Sequence, residues 1–157
     1  MSRANYGRNP FQESVEVARY IRERTRPDQR VAVIGSEPQI YFYSGRRSAT
    51  GCIYTYPLME LQSDASAMQR QMIHEVEAVD PRYLVFVSAT RSCLARPGSD
   101  QIIFGWYEQY QRSFTRVGLV EDIIPRQETV YRWGAEALDY ASRSDVWLML
   151  FERRRKS

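Results

Sequence analysis

The chain has 157 residues, which suffice for one domain with a hydrophobic core and are few for two. Its composition, 43% hydrophobic and 26% charged, is that of an ordinary globular domain, and its net charge of +3 is too small to indicate a nucleic-acid partner. No apolar run approaches the roughly 20 residues that cross a bilayer, so we expect the chain by itself to be soluble.

The amino-terminal part predicts a linker, a helix and a strand. Residues 1–8 are expected to form a flexible linker, and a helix is predicted at residues 9–25. Asn9 and Pro10 suit the cap and the first turn of a helix. One apolar face follows, made of Phe11, Val15, Ala18 and Ile21. The apolar, β-branched run at residues 30–34 predicts a buried strand.

Shorter elements are predicted next. A short helix is expected at residues 37–43, with Ser36 as its cap and Gly45 at its end. A second strand is predicted at residues 47–50, and an extended segment at residues 54–57.

The middle of the chain predicts two long helices around the clearest strand. The first helix covers residues 63–79, and one of its faces carries Met68, Met72, Val76 and Val79. The strand covers residues 83–87. Ser99 is expected to cap the second helix, whose buried stripe is Ile103, Trp106, Tyr110 and Phe114.

Three strands are predicted at residues 116–124, 129–133 and 146–152, with a linker or a short irregular helix at residues 135–145. Helices alternating with strands, followed by a run of strands, indicate an α/β fold. We expect a three-layer α/β/α Rossmann-like mixed sheet, with parallel first strands and antiparallel carboxy-terminal strands. A single domain is expected at residues 9–152, followed by a solvated basic tail at residues 153–157.

The loop after the first predicted strand raises the question of a nucleotide site. A dinucleotide fingerprint needs three glycines, whereas Gly35 stands alone. Glu37 would put a negative charge at the phosphate position, and Pro38 has no amide donor. The chain contains no GK[ST] motif. The sequence therefore disfavours a nucleotide, and we expect no cofactor.

Polar and aromatic residues make the same loop a candidate binding surface. It lies after a predicted strand, where open α/β sheets bind their ligands. Its carboxylate, amide, phenols and guanidinium groups suit sugar hydroxyls or an anionic head group, and they belong to Glu37, Gln39, Tyr41, Tyr43, Arg46 and Arg47. The alternative is a plain strand-to-helix turn.

Two further stretches could join this surface. Tyr54 and Tyr56 have the same parity and could add a second aromatic surface, and the alternative is that they pack against the sheet. Residues 88–92 follow the clearest strand and could line the same cleft, and the alternative there is an ordinary polar loop.

The sequence indicates no catalytic or metal-binding set. His74 is the only histidine, and it lies near the polar flank of its helix. The acidic residues show no recognisable glycosidase pair. Cys52 and Cys93 are far apart and lack CxxC spacing, so no metal site is expected.

Several short segments together resemble a known family. They are residues 6–11 (YGRNPF) with 13–14 (ES), 35–44 (GSEPQIYFYS), 48–51 (SATG), 54–59 (YTYPLM) and 81–83 (PRY). They are similar to the soluble carboxy-terminal region of bacterial membrane glycosyltransferases of the family 39 type, within the GT-C class. The resemblance extends from about residue 6 to residue 119.

The resemblance implies an enzyme that transfers a sugar from a polyprenyl-phosphate carrier to a lipid, glycan or protein acceptor. The acidic catalytic residue of that family lies in an extracytoplasmic loop between membrane helices, so no catalytic residue carries over to this chain. The chain is then expected to follow the last membrane helix, on the periplasmic face of the bacterial inner membrane. Its partners would be the membrane portion of the same polypeptide and a glycan or lipid-linked sugar. In that compartment a Cys52–Cys93 disulfide becomes an alternative to two free thiols.

Two other functions stay open. The chain could be a self-sufficient soluble α/β enzyme or nucleotide-binding protein that uses the cleft at the carboxyl end of its first strands. It could also be a structural domain that only contacts its own membrane portion, in which case an exposed apolar patch is expected.

Overall fold

Six strands form one mixed sheet in the computed structural model, which describes residues 10–88, 90–93, 95–123 and 128–154. The strands are β1 (Arg30–Ile34), β2 (Arg47–Ser48), β3 (Tyr83–Ser88), β4 (Phe114–Ile123), β5 (Glu128–Trp133) and β6 (Trp147–Arg153). Their order across the sheet is β2-β1-β3-β6-β4-β5. β1 pairs in parallel with β2 and β3, and the other pairs are antiparallel. The predicted mixed sheet is confirmed.

Most of the described helices lie close to their predicted positions, and two short ones, at residues 56–59 and 90–93, are not predicted. They are α1 (Phe11–Arg24), α2 (Gln39–Ser44), α3 (Tyr56–Met59), α4 (Ala65–Val79), α5 (Thr90–Cys93), α6 (Ile102–Tyr110), a 3₁₀ turn (Gln111–Ser113) and α7 (Ala135–Leu138). α7 is the short helix predicted between residues 135 and 145. Gly45 ends α2 as predicted, since its φ of 64° is the left-handed conformation that glycine adopts readily. The predicted cap Asn9 and linker 1–8 lie outside the described residues.

Three local predictions are wrong, each because a tertiary contact prevails over the local pattern. Ser36 does not cap α2, because its hydroxyl pairs with Thr55 at 3.1 Å. Ser99 does not cap α6, which begins three residues later, and its hydroxyl donates to the Met59 carbonyl. Residues 54–57 are not wholly extended, because α3 begins at Tyr56 and buries its Leu58 in the core.

Helices cover both faces of the sheet, so the three-layer arrangement is confirmed. Successive residues of β1 point to opposite faces. Val31 and Val33 pack in a cluster with Val17 and Ile21 of α1. Ala32 and Ile34 pack on the other face, in a cluster with Met72, Val76 and Ile103 of α4 and α6.

The buried face predicted for α4 is confirmed, and the one predicted for the region of α6 is only partly correct. In α4, Met72 and Val76 are fully buried, and Met68 and Val79 pack against them, as predicted. In the region of α6, Ile103 is buried and Trp106 and Tyr110 are half-buried, but Phe114 is the first residue of β4. The helix ends at Tyr110, and the buried Tyr107 was not predicted.

Three further features bear on the expectations from sequence. No helix within the described residues is long and apolar enough to span a membrane. Cys52 and Cys93 are free thiols. β6 extends to Arg153, the first residue of the predicted tail, and residues 155–157 lie outside the described part of the chain.

Candidate functional site

The carboxyl ends of β1 and β3 lie side by side, because these two strands pair in parallel. The loop after β1 carries Ser36 and Glu37, and α5, after β3, carries Ser92. The Ser92 hydroxyl accepts a hydrogen bond from the Ser36 backbone N–H at 3.0 Å and donates one to the Glu37 carboxylate at 2.6 Å. One side chain therefore connects the two loops.

Thr55 joins this arrangement from the segment between β2 and α3. Its backbone N–H donates to the Ser36 hydroxyl at 3.0 Å, and its own hydroxyl donates to the Ser92 carbonyl at 3.1 Å. Ser36, Glu37, Thr55 and Ser92 are all buried. We call these four residues the carboxyl-edge cluster.

Position 35 is occupied by glycine, and the carboxyl-edge cluster leaves no space there for a side chain. A Cβ atom at this position would lie 2.5 Å from Glu37 Oε2, 2.8 Å from Ser92 Oγ and 2.8 Å from Val87 Cγ2. Real Cβ atoms do not approach other atoms so closely, so an alanine would displace the carboxylate or the hydroxyl. The glycine that suggested a nucleotide loop is explained by packing.

Burial raises the pKa of Glu37 to about 7, although the hydrogen bonds from Ser92 and from the Ser36 backbone oppose the shift. A carboxyl group that titrates near neutral pH next to a hydroxyl has the chemistry of a general base. However, Glu37 and Ser92 are each only 2% exposed. A substrate has no access to either group in this conformation, so the pair connects loops and does not present a reactive group.

The predicted tyrosine pair lies beside the cluster and reaches the surface. The rings of Tyr54 and Tyr56 are 6.2 Å apart and tilted by 32°. Burial and the nearby Glu37 charge raise the pKa of Tyr56, and a side-chain hydrogen bond with Ser36 opposes them. Tyr54 is 44% exposed. The pair therefore extends from the cluster to solvent, which combines the two alternatives given by the sequence.

Three other predicted residues belong to α2. The Tyr41 hydroxyl accepts a hydrogen bond from the Val33 backbone at 3.1 Å, and burial raises the pKa of Tyr41 to about 12. Gln39 donates to the Ser14 hydroxyl at 3.2 Å, which connects α2 with α1. Tyr43 is partly exposed and contacts the edge of Phe11. Of the three, only Tyr43 presents its ring to solvent.

The structure does not bring Arg46 to the cluster. Its guanidinium group is buried at the end of α1, where it donates to the Thr25 hydroxyl and to the carbonyls of Arg22 and Thr25. It also donates to the carbonyls of Ser44 and Gly45. These bonds satisfy carbonyl groups that a helix end leaves unpaired. Arg46 therefore stabilises the fold.

Arg47 also lies away from the cluster. Its Cα pairs with that of Arg30, the first residue of β1, so it stands at the amino end of the sheet. The sequence predicts both arginines at the carboxyl edge of the sheet, because they follow α2 directly. In the structure the chain has already crossed to the amino end of the sheet at these residues.

Sequence reasoning missed two parts of this region. The sequence pattern does not single out Thr55, although its short hydroxyl side chain precedes a helical turn that contains a proline. It does not single out Phe42 either, whose side chain on α2 is 79% exposed. Of residues 88–92, for which the sequence leaves a cleft or an ordinary polar loop open, Ser92 belongs to the carboxyl-edge cluster.

The described residues contain no group of three or more His, Cys, Asp or Glu side chains that could hold a metal ion. The chain matches no family model, no curated protein and no solved structure at a significant level. The interpretation of this region therefore depends on the geometry given above and on the sequence resemblance.

Proposed function

We propose that the chain is an accessory domain of a membrane glycosyltransferase that uses a polyprenyl-phosphate sugar, on the periplasmic face of the bacterial inner membrane. In this role it binds a glycan acceptor or packs on the membrane portion of the same polypeptide, and it does not transfer sugar alone. The surface proposed for these contacts comprises the exposed side chains of Phe42, Tyr43, Ile53, Tyr54 and Leu61.

The observation that carries this proposal is the distribution of exposed apolar side chains. Six large hydrophobic side chains are exposed in the described part of the chain, and all but Leu138 lie between residues 42 and 61. This stretch borders the carboxyl-edge cluster through Thr55. Concentrated exposed apolar groups mark sites of contact with proteins, membranes or ligands. Aromatic rings such as those of Tyr54 and Phe42 can pack against a sugar ring or a membrane helix.

The interior of the cluster supports a role in binding over one in catalysis. Glu37 and Ser92 have suitable chemistry for acid–base work, but both are enclosed by the loops that they connect. The exposed groups nearby are phenols, aromatic rings and aliphatic side chains. Such groups provide contact area and orientation for a ligand.

Three measurements test the proposal. The reading frame that encodes the chain should contain several membrane spans upstream, and the chain alone should transfer no sugar from a lipid-linked donor. In the full-length protein, Tyr54→Ala and Phe42→Ala should reduce transfer to the acceptor. Leu138→Ala removes an exposed apolar side chain outside this stretch and should leave transfer unchanged.

Other results would contradict the proposal. Sugar transfer by the purified chain alone would make it an enzyme in its own right. Strong stabilisation by one nucleotide in a thermal-shift screen would favour a nucleotide-binding protein instead, because a ligand at about 100 times its dissociation constant adds about 2.7 kcal/mol to the stability. An equal loss of transfer in the Leu138→Ala variant would show that the chosen surface has no special role.

A further inference from the structure

A second concave surface lies on the other half of the sheet. It is a groove of about 710 Å³ over β4 and β6, with α6 and the 3₁₀ turn on one side and α7 on the other. None of the residues discussed above for the carboxyl-edge cluster lines it. The side chains that matter for its chemistry are those of Tyr107, Arg112, Phe114, Arg116, Phe151 and Arg154.

The charge of the groove has one sign. Arg112, Arg116 and Arg154 line it, and no acidic side chain does so among the residues that the structure describes. Elsewhere arginines are paired with carboxylates, as in the ion pairs of Arg82 with Glu152 and of Arg153 with Asp80. A groove with three guanidinium groups and no carboxylate favours an anionic ligand.

The three arginines differ in how firmly they are held. Arg116 donates to the carbonyls of Leu138 and Tyr140, each at 2.7 Å, which fixes the direction of its side chain. Arg154 uses its Nε to bond the Phe114 carbonyl at 3.0 Å. Arg112 is exposed and makes no hydrogen bond or ion pair within the described residues. A fixed guanidinium group and a second one with free donors in the same groove suit the paired oxygens of a carboxylate or a phosphate.

The floor of the groove is aromatic. Phe114 and Phe151 are buried, and Tyr107 stacks on Phe86 at a centroid distance of 4.0 Å. Packing therefore fixes the orientation of the Tyr107 ring. The Tyr107 hydroxyl makes no hydrogen bond within the described part of the chain, although it lies close enough to Arg116 to be affected by its charge. A phenol that makes no hydrogen bond to the protein can donate to a ligand oxygen.

We propose that this groove binds a small organic anion, in which a phosphate or carboxylate group is joined to a flat apolar body. The anionic group would contact Arg112, Arg116 and the Tyr107 hydroxyl. The apolar body would lie against the half-buried Met149 side chain and the aliphatic part of Arg116, above the buried rings of Phe114 and Phe151. This site is separate from the surface at residues 42–61, so either proposal can fail without the other.

The test is a titration of the whole chain with four probes: phenyl phosphate, benzoate, inorganic phosphate and phenol. Saturable binding is expected for one or both aromatic anions, and it should weaken as salt is added. Inorganic phosphate lacks the apolar body and phenol lacks the charge, so each should bind at least about tenfold more weakly, as expected for the loss of one strong contact. Binding of phenyl phosphate alone would identify a phosphate ligand, and binding of benzoate alone a carboxylate.

Variants locate the binding. Arg112→Gln should raise the dissociation constant of the better probe about tenfold, because a charge-assisted hydrogen bond is lost. Tyr107→Phe retains the stacked ring and should raise it severalfold. Arg70→Gln removes one exposed charge from α4 and should have no effect. The proposal is overturned if neither aromatic anion binds, if inorganic phosphate binds as tightly as phenyl phosphate, or if Arg112→Gln and Arg70→Gln behave alike.

Discussion

Ser92 and Glu37, 55 residues apart in the chain, are joined by a hydrogen bond of 2.6 Å inside the protein. The same Ser92 hydroxyl accepts the Ser36 N–H, so a single oxygen connects the loop after β1 with the helix after β3. Because β1 and β3 are adjacent parallel strands, this bond holds together the two segments that shape the carboxyl edge of the sheet. The predictions for this edge follow from that connection.

Ser92→Ala should lower the free energy of unfolding by about 1–3 kcal/mol. The change removes the hydroxyl that bonds both the buried Glu37 carboxylate and the Ser36 N–H, and the loss of hydrogen bonds by buried polar groups costs about this much. Denaturant unfolding measures the loss. The double variant with Glu37→Gln should lose less than the sum of the two single variants, because both changes remove the same contact. Strict additivity would show that the two residues are not coupled.

Glu37→Gln should change how stability depends on pH. The pKa of Glu37 is raised from 4.5 to about 7, so the folded protein retains a proton that the unfolded chain releases. The stabilisation that protonated Glu37 gives the folded protein is therefore fully present below pH 4.5. As the pH rises to about 7, it is lost by up to about 1.4 kcal/mol for each pH unit. Glu37→Gln has no carboxyl group to lose this stabilisation. The difference in free energy of unfolding, variant minus wild type, should therefore rise between pH 4.5 and about pH 7.

The control for this titration is Glu108→Gln, which changes an exposed carboxylate of α6. Its stability relative to the wild type should show no comparable rise between pH 4.5 and pH 7. Thermal or urea unfolding at several pH values provides the comparison. A flat difference between wild type and Glu37→Gln would mean that the carboxyl group is not buried in solution.

Gly35→Ala and Gly105→Ala form a matched pair with opposite expected effects. At Gly35 a new Cβ would meet Glu37, Ser92 and Val87, so we expect a loss of about 1–3 kcal/mol from overpacking. At Gly105, within α6, a new Cβ meets nothing within 4 Å. There alanine should stabilise the helix by about 0.5–1 kcal/mol. Equal effects in chemical denaturation would contradict the close packing around Gly35.

Arg46→Met should destabilise the protein by about 2–4 kcal/mol. It removes hydrogen bonds to five acceptors, and several of these carbonyl groups would remain buried without a donor. Arg46→Lys should recover only a part, because an ammonium group cannot reproduce the planar guanidinium geometry. Arg47→Met changes the adjacent exposed arginine and should shift the stability by no more than about 0.5 kcal/mol.

The sequence predicts the elements whose signals are local. The β-branched run of β1 and the four-residue spacing of Met68, Met72 and Val76 each lie within one element, and both appear as expected. The site residues depend on distant partners. Ser36 has the right chemistry for a helix cap, but Thr55, 19 residues away, takes its hydroxyl. Arg46 follows α2 in sequence, yet its acceptors lie mainly at the end of α1. A side chain's choice between a local and a distant partner leaves no periodic pattern in the sequence, so the sequence does not predict it.

The sequence also does not predict which charged residues lie together in the fold. Arg112 and Arg116 lie four residues apart and Arg154 belongs to the predicted basic tail, so in the sequence they indicate only solvated residues in a chain of net charge +3. The antiparallel pairing of β4 with β6 brings them to one groove. The exposed apolar residues at 42–43 and 53–54 are close in sequence, but their exposure depends on how the sheet is covered.

Because of the position of β6, the sheet cannot be completed until the last strand has been synthesised. β6 is made after the other five strands, yet it lies between β3 and β4 in the middle of the sheet. Until residues 147–153 leave the ribosome, the parallel half and the β4–β5 hairpin have no strand between them, and each exposes an unpaired edge. Open edges of this kind invite pairing with other chains. A nascent chain stalled before Trp147 should therefore depend most strongly on chaperones, although most of its helices and strands have already been synthesised.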